Sequence, residues 1–167
     1  MKFVLFGVVV LIVIVGAVFA YGASLPVEVK AERTQNLNAP VDKVYAIVSD
    51  VAGQAAWRSD VGNVRMSADG RSWTEETKQG VTIAFEEVAR MPPTRLEIDF
   101  TSPQGFSGRW VGVFAPTPDG KTQITFTETV RTESPIGRLM QQIFAPPGAH
   151  IDLYLKDLDA ALRVEAR

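Results

Sequence analysis

An apolar stripe near the C-terminus constrains this chain more than any other feature. Ile136, Leu139, Met140, Ile143 and Phe144 recur at three- and four-residue steps, and after Ala145-Pro146-Pro147-Gly148 the pattern resumes with Ile151, Leu155, Leu158 and Leu162. That spacing lines apolar side chains along one side of a helix and leaves Lys156, Asp157, Asp159 and Arg163 on the others. The two prolines predict a break into a short arm and a long helix. So one-sided a helix needs a partner surface, and residues 63–132 read as strands. The partner is expected to be a sheet.

The strand pattern runs through 27–37, 61–67, 72–78, 81–90, 95–101, 108–115 and 122–132. Short connections with turn chemistry join the later runs: Ala68-Asp69-Gly70, Gln79-Gly80, Met91-Pro92-Pro93 and Pro118-Asp119-Gly120. Neighbouring strands joined this tightly form an antiparallel meander. Between the first strand and the rest, Asn38-Ala39-Pro40 opens a helix, with Asn38 or Ala39 at its cap and Pro40 in its first turn. Val44, Ile47 and Val48 are its buried side, and 50–57 reads as a second short helical segment. The expected fold is α+β, a curved antiparallel sheet wrapped around a long C-terminal helix. A sheet and a helix of this kind do not close along their whole length, so a concave apolar cavity between them is expected.

The other long signal is N-terminal. Residues 3–20 are all apolar or glycine, and residues 21–25 add little polarity. About 20 such residues in a helix span a bilayer. A cleaved signal peptide is the alternative, but its apolar core is usually shorter, and Ala20-Tyr21-Gly22 is a loose cleavage site. The expectation is an uncleaved single-pass anchor through residues 3–23, giving an anchor segment 1–25 and a domain 26–167. Lys2 precedes the span and Lys30 and Arg33 follow it, so charge counting leans only slightly to a domain on the extracytoplasmic side.

Composition limits the chemistry. With a net charge of −2 and no concentrated basic surface, nucleic acid is not an expected partner. The absence of cysteine removes thiolate metal sites and disulfides, and a lone His150 leaves no histidine cluster for a metal. No nucleophile stands beside a base at a telling spacing, and no phosphate loop is present. No cofactor is expected.

The chain resembles the START-like (SRPBCC, helix-grip) superfamily, in its polyketide cyclase/dehydrase-like branch. The resemblance rests on residues 37–45 (Leu-Asn-Ala-Pro-Val-Asp-Lys-Val-Tyr) with Asp50 and Trp57, followed by Trp73-Thr74-Glu75 and Met91-Pro92-Pro93-Thr94-Arg95-Leu96. Phe106-Ser107-Gly108-Arg109-Trp110, Ile124-Thr125-Phe126-Thr127-Glu128 and Tyr154-Leu155-Lys156-Asp157-Leu158 complete it. Each motif alone is weak, but their order and spacing span about residues 28–163. The resemblance implies a helix-grip domain holding a hydrophobic small molecule or lipid. Two alternatives stay open: a cyclase- or dehydratase-type enzyme exchanging protons through cavity groups, and a non-catalytic protein-interaction module.

The hairpin 108–115/122–132 admits two registers. One pairs Phe114 with Ile124, Gly112 with Phe126 and Trp110 with Glu128; a one-residue slip pairs Arg109 with Glu128. The resemblance favours the first. Glu128 then sits on an apolar face, where an ionised carboxylate is expensive without a partner. It is a ligand contact, a proton-transfer group, or half of a structural pair with a cation such as Arg109. Glu75 shares a face with Trp73. Two carboxylates in one pocket would push one pKa upward. His150 invites an acid–base role near neutral pH, against the plainer reading of an exposed first-turn residue. Tyr154, four residues on, shares its helical side. Trp57, Trp73, Phe85, Phe106, Trp110 and Phe126 are core or cavity lining. The candidate site is therefore these six aromatics with Glu75, Glu128, His150 and Tyr154.

Overall fold

Odd-numbered residues of Glu28–Leu37 turn inward and even-numbered ones outward, and this alternation makes β1, the first strand of the sheet. The computed structural model describes residues 2–164; Met1 and the last three residues of the expected domain, 165–167, lie outside it. Ahead of β1 runs helix α1 (Lys2–Ser24), and after it come α2 (Val41–Ser49) and a 3-10 turn at Gln54–Ala56. Six strands follow: β2 (Val61–Met66), β3 (Ser72–Thr77), β4 (Thr82–Met91), β5 (Arg95–Ser102), β6 (Phe106–Pro116) and β7 (Thr122–Thr132). Helices α3 (Pro135–Phe144) and α4 (Ala149–Val164) end the described chain.

The seven strands form one antiparallel sheet in the order β1-β7-β6-β5-β4-β3-β2. The first strand closes on the last because Glu28–Leu37 pairs residue for residue with β7, from Arg131 to Thr122. Register irregularities between Val61 and Asn63 and between Glu87 and Ala89 bend the sheet. The β6–β7 hairpin takes the expected register, Phe114 opposite Ile124 and Trp110 opposite Glu128.

Helix α4 lies across the concave face and buries Ile151, Leu155, Leu158 and Leu162. They join Leu37, Val44, Val48, Leu96, Phe114, Ile124 and Phe126 in the core. A fully buried leucine or isoleucine contributes roughly 1.5–3 kcal/mol by leaving water, so four such side chains on one helix dominate its attachment. Gly148 starts α4 at a positive φ of 87°, and a Cβ there would stand 2.5 Å from the Arg33 guanidinium. Arg33 in turn clamps the first turn of α4 through Asp152, at 2.7 and 3.1 Å. Helix α2 closes the far end: the Thr122 hydroxyl donates to the Ala39 carbonyl, and Tyr45 packs edge-on to Phe114.

Several sequence expectations are corrected. Pro40 is the cap of α2, with an extended ψ of 150°, because its own carbonyl accepts the first helical bond from Val44. Residues 50–57 make only the 3-10 turn; the Gly53 amide donates to the Asp50 carboxylate and turns the chain before a helix can form. Strand β6 starts at Phe106, two residues earlier than expected. The short arm α3 does not lay its apolar stripe on the sheet. It buries Arg138 and leaves Ile136, Met140, Ile143 and Phe144 exposed.

Candidate functional site

The site is assembled around a charge that the loop after α2 carries into the core. Arg58 donates from Nη1 to Gln54 Oε1 and to Glu75 Oε2, both at 2.9 Å. Its Nε and Nη2 grip the two oxygens of Asp60 at 3.2 and 2.9 Å. Burial works to lower the Arg58 pKa, but Glu75 and Asp60 outweigh it and the value is raised. For Asp60 burial acts upward, and the Arg58 bond and charge bring its pKa below the ordinary one. Glu75 is fully committed, since its other oxygen accepts from Trp73 Nε1 at 3.1 Å. Gln54 is anchored by donation to the Val48 carbonyl, so the whole network hangs from the end of α2.

Tyr154 of α4 meets this network from above. Its ring lies 5.2 Å from the Arg58 guanidinium, and its hydroxyl accepts a long 3.4 Å bond from Gln54 Nε2. Burial raises its pKa strongly, so the phenol stays protonated and keeps its O–H for donation. Trp57 packs edge-on to it at 5.2 Å, Phe126 edge-on at 5.5 Å, and Trp110 tilted at 6.2 Å. A second ring series crosses the sheet: Trp73 stacked on Phe85, then Phe100, then Phe106. Rings therefore fill the centre of the grip. The concave face stays partly exposed at Phe85, Phe106, Trp110, Glu128 and Val130.

Glu128 is the group without an obvious reason. Partly buried beside Trp110, it receives no hydrogen bond from the described residues. Burial raises its pKa, and the charges of His150 and Arg58 pull only partly the other way. The expected structural partner is corrected: Arg109 faces the convex side and grips Asp99 at 2.6 and 2.8 Å. The two carboxylates thus differ in kind, Glu75 paired and Glu128 not. His150 is exposed, with Nδ1 3.9 Å from Asp60, at the rim rather than inside. A depression of about 340 Å³ lies on the convex face over Asp99, Ser107, Arg109, Thr129 and Arg131, away from these groups. No group of three or more acidic or histidine side chains is placed to hold a metal among the described residues.

Of the ten residues expected at the site, Trp57, Trp110, Phe126 and Tyr154 form one contact group, with His150 and Glu128 near enough to Arg58 or Asp60 to share its electrostatics. Trp73 and Glu75 make the floor, with Phe85 stacked on it. Phe106 stands apart, at the far end of the second series. Sequence reasoning missed Gln54, Arg58 and Asp60. Only the spacing Arg58-Ser59-Asp60, opposite charges two apart in a loop, hinted at them.

Solved structures share this architecture at low sequence identity. An aromatase/cyclase, Zhui, from Streptomyces sp. R1128 superposes with a TM-score of 0.70 at 16% identity, over 84% of this chain and 96% of that one. A START superfamily protein from Mycobacterium smegmatis gives 0.65 at 15% identity, over 80% and 97%. A conserved protein from Geobacillus kaustophilus gives 0.67 at 14%, over 81% and 95%. No curated protein matches the chain significantly in sequence. A family model described as polyketide cyclase/dehydrase and lipid transport matches residues 28–153, which run from the first residue of β1 into the first turns of α4. With the sheet, the grip helix and that match in agreement, the chain belongs to the polyketide cyclase/dehydrase and lipid transport family.

Proposed function

We propose that residues 26–167 form a START-like domain that binds a hydrophobic small molecule or lipid along the open part of the concave face, and that residues 1–25 tether it to a membrane. One observation carries the reading: partly exposed rings share the concave face with Glu128, which lies opposite Trp110 and receives no hydrogen bond from the described residues. An apolar ligand covers the rings, and a carboxyl of raised pKa donates to a ligand carbonyl or hydroxyl at little desolvation cost. Helix α1 supports the tether by length and composition, and nearly all its described side chains are exposed to whatever surrounds them. A tether of this kind keeps the domain where apolar ligands concentrate.

The test is native extraction of the full chain in polymer-bounded membrane discs, followed by mass spectrometry of what co-purifies. A hydrophobic molecule held by the natural chain and depleted in Glu128→Gln supports the reading. Equal contents in both, or none beyond bulk lipid, overturns it.

A second reading has its own support. Glu128 shares its electrostatics with His150 and Arg58 on the side where Tyr154 keeps its proton. That arrangement suits proton exchange on a bound substrate. Turnover of a bound ligand, lost in Glu128→Gln while binding persists, would favour an enzyme over a carrier.

A further inference from the structure

We infer that α3 is a second membrane contact, lying in the interface of the bilayer that α1 enters, with its exposed apolar side among the phospholipid acyl chains. This inference rests on reading α1 as an anchor. Helix α3 presents Ile136, Met140, Ile143 and Phe144, at steps of four, three and one, with exposures of 44, 48, 58 and 73%. Four large apolar side chains therefore stand exposed on one side of a ten-residue helix. Other positions of α3 hold it to the domain: the Thr132 hydroxyl bonds Gln141, and Gly137 packs on Thr132.

The occupant of this face follows from its neighbour. Arg138, buried, donates from Nε to the Gly22 carbonyl at 3.0 Å, placing its charge at the negative end of the α1 helix. A Cβ on Gly22 would come 2.3 Å from the Pro135 carbonyl oxygen, so the two helices meet backbone to backbone. The last turn of a spanning helix sits at the membrane–water boundary, where the exposed Tyr21 is at home. Whatever fixes α3 against that turn fixes it at the same depth. An apolar stripe there lies in the plane of the interface, its side chains buried roughly 5–10 Å into the headgroup and acyl boundary. Thr132, which α3 holds, pairs with Phe106, so the Phe106 end of the concave face is brought to the bilayer surface.

Because the chain has no cysteine, single thiols are introduced cleanly. Ile143→Cys, Val10→Cys and Asp119→Cys, each carrying an environment-sensitive fluorophore, are reconstituted as the full chain into phosphatidylcholine vesicles with nitroxide-labelled acyl chains. Asp119 sits in the β6–β7 turn, at the opposite end of β7 from α3. The expected result is a blue-shifted emission at positions 10 and 143 that loses most of its intensity to the nitroxide, and an unquenched, water-like emission at 119. If position 10 is quenched and 143 behaves like 119, the α3 contact is overturned while the anchor stands. If position 10 is not quenched, both fall. If 143 is shielded from nitroxide and from aqueous iodide alike, with energy transfer between labelled copies, a second copy covers α3 and the membrane contact is overturned.

Discussion

Arg58 and Glu75 meet in a 2.9 Å ion pair whose side chains are 11% and 3% exposed, joining the loop after α2 to the floor of β3. Arg58 also carries Asp60, so one guanidinium pairs with two shielded carboxylates. A pair of this sort is weak evidence for net stability, but removing one partner is costly because the other charge is left buried. Arg58→Met is expected to cost about 3–5 kcal/mol, read as a shift in the denaturation midpoint of the solubilised chain. A shift within error would mean that water already compensates the two carboxylates.

Within the site, two carboxyls contribute to the pH dependence with opposite sign. Asp60 has a folded pKa below its ordinary 3.8, so its contribution is present above that value and is lost as pH falls through the folded pKa. Glu128 has a folded pKa above its ordinary 4.5; the folded chain binds the proton more tightly, and stability declines as pH rises from 4.5 through the raised value. Glu128→Gln removes that penalty. The variant should melt higher than the natural chain at pH 7.5, and the gap should close below about pH 4.5. A variant that melts lower at neutral pH would mean that Glu128 is held by a partner.

The grip helix offers a plainer measurement. Leu158 is fully buried and Leu155 nearly so. Either one changed to Ala should destabilise by roughly 2–5 kcal/mol through lost transfer energy and the cavity left behind. Thermal unfolding that barely moves in both variants would remove α4 from the core.

A fragment beginning near Val27 should fold, because the main core contains no residue of α1. It should not be unchanged, however. Arg138 loses the Gly22 carbonyl, its one hydrogen-bonding partner among the described residues, and must find water instead. Amide exchange should therefore quicken in α3 while β6, β7 and α4 keep the protection they have in the full chain. Uniform protection would show that the contact between α1 and α3 contributes nothing to α3.

What the sequence determined by itself was everything that repeats. Period-two alternation and the Pro118-Asp119-Gly120 turn left two registers for β6 and β7, and the observed one, Trp110 opposite Glu128, is the one that the family resemblance favours. The three- and four-residue steps of Ile151, Leu155, Leu158 and Leu162 defined the buried side of α4 in the same way. The unbroken apolar run marked α1. Tertiary structure alone decided what has no period. Residues 54–60 form a turn and a loop, where no alternation says which side chain points inward, so Gln54, Arg58 and Asp60 were invisible as a network. Glu75 and Glu128 look alike along their strands, and only the arrival of Arg58 at one of them makes the first a paired charge and the second an unpaired one. The stripe of α3 promised burial, yet the chain spends its sheet on α4 and holds α3 by Arg138 and Gln141 instead. A local pattern states that an apolar side needs covering; which surface is near enough to cover it is settled by tertiary contacts such as that of Arg138 with Gly22, 116 positions away.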